Sequence, residues 1–98
     1  MISFTAIIRT KKGKEGAMKK ALLDVLEYVK EREAGTKGFF VSQSLEDPCV
    51  FTTYERFIDR AAMDLHNSSE KHDKFFEIAT PLLDGKVVIQ ICEEISAK

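Results

Sequence analysis

The chain has 98 residues, 44% hydrophobic and 32% charged, which is one globular domain's worth and excludes both a two-domain layout and a disordered chain. Fifteen basic residues against sixteen acidic ones leave a formal charge of -1, so no basic field exists for nucleic acid or an anionic membrane. Two cysteines, Cys49 and Cys92, are too few for a disulfide scaffold or a cysteine-built zinc site. The N-terminus lacks a basic region followed by a long apolar core, and no apolar run approaches membrane length. The expectation is a single soluble, cytosolic domain over residues 1–98.

Ile2 to Arg9 places Ile2, Phe4, Ala6 and Ile8 on one face and predicts a strand. Thr10-Lys11-Lys12-Gly13 breaks it before a helix expected from about Lys14 to Glu33. There Ala17, Met18, Ala21, Leu22, Val25, Leu26 and Val29 form one stripe at the 3.6-residue period, with Gly35 as the stop. Lys37 to Leu45 is a second strand, Glu46-Asp47-Pro48 a turn, and Val50 to Phe57 a third strand completing a hairpin. Asp59 suits the N-cap of a short helix through Ala61, Ala62, Met63 and Leu65, and Asn67-Ser68-Ser69 offers a second cap. A further helical piece carries Phe75, Phe76, Ile78 and Ala79 and frays or kinks at Pro81. Asp84-Gly85 then turns the chain into a last strand from Lys86 to Ile95.

Strand, helix, strand, strand, helix, strand is the βαββαβ order of a ferredoxin-like α+β domain, with two helical blocks on one face of a four-stranded antiparallel sheet. Yet the strands are apolar on both faces. Phe39 and Phe40 point in opposite directions, as do Ile7 and Ile8, and Val87 and Val88. An exposed apolar sheet face is unusual on a monomer, so a homodimer with two sheets packed face to face is expected.

His66, near the end of the short helix, is a candidate base or hydrogen-bond partner in a pocket; a helix-terminal histidine bonded to backbone is the alternative. His72 lies six residues on, a spacing that makes no helical metal pair, and no metal site is expected. Tyr54 and Glu55 are strand neighbours, so only one can face a given cleft. Tyr54 would supply an aromatic wall and a phenolic donor, or simply pack at the core edge. Glu55 could orient His66 or pair with a surface lysine. Neither cysteine has surroundings that make it a nucleophile, and the chain carries no phosphate loop, nucleophile elbow or dinucleotide fingerprint.

The run Phe51-Thr-Thr-Tyr54-Glu55-Arg-Phe-Ile-Asp59-Arg-Ala-Ala62-Met-Asp-Leu-His66-Asn-Ser-Ser69, followed by Phe75 and Pro81-Leu82-Leu83-Asp84-Gly85, resembles antibiotic-biosynthesis-monooxygenase (ABM) domains. The Tyr-Glu strand end, the Asp, the Ala and the His recur there at this spacing, and the likeness extends over essentially the whole chain. It implies a dimeric α+β barrel of two ferredoxin-like domains, each with an apolar pocket between sheet and helices. Several members oxidise phenols, hydroquinones or polycyclic aromatics with molecular oxygen and without metal or flavin.

By this resemblance His66 is the base, and Phe40, Tyr54, Met63, Phe75 and Phe76 are wall residues of a substrate site that also includes Glu55. No cofactor is implied. The haem-degrading branch and the aromatic-polyketide oxygenases both use a tryptophan, and this chain has none. The haem branch's Asn, Trp and His fall near Ala6, His66 and Phe76 in an ungapped placement. Many members carry a second His after Ser-Pro; here Ser69-Glu70-Lys71-His72 puts it one residue away. The expected function is a cofactor-independent monooxygenase acting on a small quinol or phenol. The alternatives are an isomerase of a small phosphorylated sugar-like metabolite and a non-catalytic small-ligand module.

Overall fold

In a computed structural model describing all 98 residues, the elements in chain order begin with β1 (Ile2–Arg9), α1 (Glu15–Arg32), β2 (Thr36–Gln43) and β3 (Val50–Phe57). They continue with α2 (Arg60–Asn67), α3 (Glu70–Ala79), a 3-10 turn at Thr80–Leu82, and β4 (Val88–Glu93). The antiparallel sheet has the order β2-β3-β1-β4, as a ferredoxin-like βαββαβ chain requires. β1 is central, running from Ile2↔Phe57 to Arg9↔Val50 against β3 and from Ile2↔Glu93 to Ile7↔Val88 against β4.

Each helix boundary has a local cause. α1 buries Met18, Ala21, Leu22, Val25 and Val29 along one stripe. α2 starts where the Asp59 side chain accepts the Ala62 N–H at 2.9 Å. The second helical block is two helices because Ser69 interrupts it. Its hydroxyl donates to the His66 carbonyl at 2.8 Å and accepts the His72 N–H at 3.1 Å, closing α2 and opening α3 at one residue. Pro81 sits in the 3-10 turn, and the chain after it lies along the end of β1. Lys11 N–H bonds Leu82 O, and Asp84 N–H bonds Arg9 O, both at 2.8 Å. That pairing delays β4 to Val88, two residues later than the sequence pattern suggests.

Alternation along β3 sorts the faces. Phe51, Thr53, Glu55 and Phe57 are buried beneath the helices, whereas Thr52 and Tyr54 are exposed. The core gathers Ala6, Ile8, Met18, Leu22, Phe51 and Ala79. Helices cover β2, β3 and β1 better than β4, whose residues are all exposed. Val88 on one face and Ile89 and Ile91 on the other are each more than 40% exposed. No helix is long and apolar enough to cross a membrane.

Gly35 stops α1 for a reason other than the expected left-handed cap, since its φ is not positive. A Cβ there would stand 2.8 Å from the Ala62 Cβ, so only glycine lets α2 close on the α1–β2 link. The Gly35 carbonyl also accepts the Ile58 N–H at 3.0 Å. Gly35→Ala is expected to lower stability by about 1–3 kcal/mol through overpacking. In denaturant titrations much of that loss should disappear when the change is made in an Ala62→Gly background.

Candidate active site

Between the helices and the sheet lies a cavity of about 60 Å³ with mostly apolar walls. Phe4, Ala6 and Ile8 of β1 and Phe39 of β2 form its floor; Met18 and Leu22 of α1 and Phe75 and Phe76 of α3 form its roof. The end formed by Val87 and Ile89 is the more open one, Ile89 being 46% exposed. A cavity of ~150 Å³ is known to take benzene. This space is under half that, so even a single-ring guest must part the aromatic side chains.

Four side chains bring polar chemistry to this wall: Thr53, Glu55, His66 and His72. Thr53 and Glu55 lie on the inward parity of β3, and the Thr53 hydroxyl donates to Glu55 Oε2 at 2.8 Å. His66, on the last turn of α2, is 4% exposed and stacks obliquely between Phe39 and Phe57, with centroids 5.7 and 5.5 Å away. Its Nδ1 lies 2.7 Å from Glu33 Oε1, and its Nε2 lies 3.4 Å from Glu55 Oε1. Glu33 Oε1 already accepts the Thr36 hydroxyl at 2.8 Å, so Nδ1 is the donor in the Glu33 pair, and in a neutral ring Nε2 presents its lone pair towards Glu55. The His72 ring meets His66 edge-on at 5.5 Å and continues the aromatic row to Phe76 at 4.8 Å and Phe75.

Two carboxylates around one imidazole, all buried, cannot both be charged cheaply unless a proton is shared. Burial is the main force raising the Glu55 carboxyl to about 7, assisted by the nearby Glu33 charge and opposed by the Thr53 hydroxyl. Burial likewise lowers the His72 imidazole, and the neighbouring His66 adds to that. Glu55 Oε1 is buried, lacks a hydrogen-bond partner and belongs to the cavity wall. A hydroxyl entering the cavity would satisfy it. No group of three or more His, Cys, Asp or Glu side chains stands where it could hold a metal ion.

Of the residues expected from sequence, the structure brings His66, Glu55, Phe75 and Phe76 together at the cavity. Met63 is 2% exposed and supports α2 from within, without lining the cavity. Phe40 and Tyr54 lie outside it: both are on the outer parity of their strands, 57% and 39% exposed, with ring centroids 6.1 Å apart. Tyr54 and Glu55 thus face opposite ways, and the glutamate is the one turned inward. Phe39 takes the wall position expected of Phe40. Glu33, Thr53 and His72 were not anticipated as site residues. For Thr53 the signal was present, as a polar residue on the apolar parity of β3. Glu33 carries no such signal, because only the fold brings the end of α1 to α2.

The sequence profile of the antibiotic biosynthesis monooxygenase family matches residues 1–78. The chain belongs to that family. Among solved structures, a candidate antibiotic biosynthesis monooxygenase from Caulobacter crescentus CB15 superposes with a TM-score of 0.91 at 20% identity, over 97% of this chain and 90% of that one. A second, from Nitrosomonas europaea, gives 0.89 at 21% identity over 98% and 100% of the two chains. A conserved protein from Methanosarcina mazei Go1 gives 0.87 at 25% identity over 95% and 91%. The first two likenesses bear on the fold alone. Comparison with functionally curated proteins finds no match to this sequence.

The raised Glu55 carboxyl makes a signed prediction for this ABM domain. Between pH 4.5, the ordinary value, and about 7, the folded chain keeps a proton that the unfolded chain has released. Stability attached to this group is therefore full below the ordinary value and is lost as pH rises through the folded one, by about 3 kcal/mol in all. Glu55→Gln should remove that fall, so its stability relative to wild type climbs across this range in urea titrations at successive pH values.

Proposed function

We propose that this domain is a cofactor-independent monooxygenase acting on a small, single-ring quinol or phenol, with Glu55 and His66 as the proton-accepting pair. The observation that carries this reading is Glu55, proton-poised and with no hydrogen-bond partner on Oε1, in the wall of a mostly apolar cavity. A hydroquinone donating its hydroxyl to Glu55 becomes a phenolate, electron-rich enough to reduce oxygen itself. Ring hydroxylation and quinol oxidation together supply the electrons, and oxygen ends as one ring oxygen and one water. The protein then needs to supply orientation, exclusion of water and a proton acceptor whose pKa lies near working pH. Phe39, Phe75 and Phe76 would hold the ring, and the tight space favours one ring over a polycyclic substrate. No lysine or arginine lines the cavity, which counts against the phosphorylated substrate of the isomerase alternative.

Oxygen uptake with a panel of substituted 1,4-hydroquinones tests this. Glu55→Gln and His66→Ala are each expected to lower turnover by about 10²–10⁴-fold. Wild-type uptake no faster than the uncatalysed rate refutes the monooxygenase, and hydroquinones that raise the melting temperature without turning over would identify a binding module.

The homodimer belongs to the same proposal. Ile7, Phe40, Tyr54 and Val88 expose apolar area on the outer sheet face, and β4 is uncovered on both sides. A second copy packed there would bury Phe40 and Tyr54 between two sheets and cover β4. Light scattering at micromolar concentration should give twice the chain mass, and Phe40→Asp should give the monomer with the fold intact. A wild-type monomer would overturn the interface.

A further inference from the structure

On the far side of His66 from the cavity is a second, more polar recess of about 250 Å³, lined by Arg32, Glu33, Ala34, Gly35, Thr36, Ala62 and Leu65. The imidazole lines both spaces, Glu55 only the inner one and Glu33 only the outer one. The three side chains therefore cross the wall in order: Glu55, then His66 at 3.4 Å, then Glu33 at 2.7 Å. Glu33 Oε2 is buried and unpartnered. We propose that Glu55, His66 and Glu33 are a proton relay, in which Glu33 exchanges with solvent in the outer recess the proton that the inner cavity gives up or takes in.

The tautomer already in place suits such a relay. When the ring is neutral, the Glu33 contact keeps its proton on Nδ1 and leaves the Nε2 lone pair towards Glu55. A proton passing from Glu55 to Nε2 is matched by one leaving Nδ1 for Glu33, so the ring returns to the neutral state with its tautomer exchanged. A ring flip, after Glu33 has released its proton to the recess, resets it. The 3.4 Å gap closes with a small rotation of Glu55, whose Oε1 no other group holds. The Val87–Ile89 opening is lined by apolar side chains, so Glu55, His66 and His72 are the titratable groups along the wall. His66 is packed against Phe39 and Phe57, and His72, the remaining titratable neighbour, is held towards its neutral form by burial. Arg32 in the outer recess and Asp73 beside His72 are the further charges near this row.

The relay rests on the proposed function only for the origin of the proton, and its test can be read without substrate. In the isotope-labelled, ligand-free protein, the His66 ring Cε1–H signal should pass through its pH titration in fast exchange. In Glu33→Gln, which keeps shape but cannot take the proton, protonation should slow by about a hundredfold, the low end of what a positioned proton acceptor contributes. The signal then splits into separate protonated and neutral peaks, and small imidazole buffers restore fast exchange. Should that variant fail to fold, Glu33→Asp withdraws the carboxyl by one methylene and should show the same slowing. An unchanged exchange rate in a folded variant overturns the relay. With 1,4-hydroquinone as probe, the Glu33 variants should lose kcat rather than KM and become dependent on buffer concentration. Absent oxygen uptake in the wild type refutes the monooxygenase alone, and the exchange rates still decide the relay.

Discussion

The hydrogen bond from His66 Nδ1 to Glu33 Oε1, 2.7 Å long and almost wholly removed from water, ties together three elements that sequence separates. Glu33 is the C-cap residue of α1, His66 is in the last turn of α2, and Glu55 comes up from β3 beneath both. A charge-assisted bond in such surroundings is strong when complete and costly when broken, because either partner alone would be a buried, uncompensated polar group. The close approach of Gly35 to Ala62 is the packing condition for this bond, since it sets how near α2 comes to the end of α1. A backbone contact and a buried hydrogen bond thus fix the same distance. What they position is an imidazole whose second nitrogen faces the cavity.

Strand parity does the remaining placement. Because neighbours on a strand alternate, one choice of register sends Phe4, Phe39, Thr53 and Glu55 to the helices and Ile7, Phe40, Tyr54 and Val88 outward. The two faces consequently acquire different chemistry from adjacent residues. The inner face mixes aromatic walls with one polar pair, and the outer face sets Ile7, Phe40, Tyr54 and Val88 among polar residues such as Thr5, Arg56 and Gln90. Helical cover stops short of β4, which leaves the cavity open at its Val87–Ile89 end and leaves β4 itself to be covered from elsewhere.

Much of this was legible in the residues. The β3 run Phe51 to Phe57, the Asp59 and Ser69 caps and the α1 stripe all stand where propensity and period place them, because local physics and tertiary packing agree there. The site was legible in part. His66 stood out by its type and neighbours, and Phe75 and Phe76 through the family resemblance; all three line the cavity. Phe40 and Tyr54, expected on the wall, lie on the outer face, because apolar residues on both faces of a strand do not mark which parity the helices cover. Alternation puts Thr53 and Glu55 on the face of Phe51 and Phe57, whichever face the helices cover. Glu33 could not be found this way. Its burial depends on α2 crossing the end of α1, a long-range contact that leaves no local trace.

The shared proton also constrains what the cavity can hold. With its carboxyl raised to about 7 by burial, Glu55 can offer an entering hydroxyl either an acceptor or a donor. A guest that must lose a proton is helped by the ionised form, and the surrounding aromatic rings then strengthen the interaction by excluding water. An anionic guest meets the opposite situation: no cation lines the walls, and the Glu33 carboxylate stands behind His66. It would have to enter with Glu55 protonated and His66 charged, which costs the cavity its acceptor. The arrangement therefore favours a neutral, ionisable, single-ring molecule that becomes negative only after binding. In the proposed monooxygenase reaction, oxygen is small and apolar and would need no polar anchor of its own.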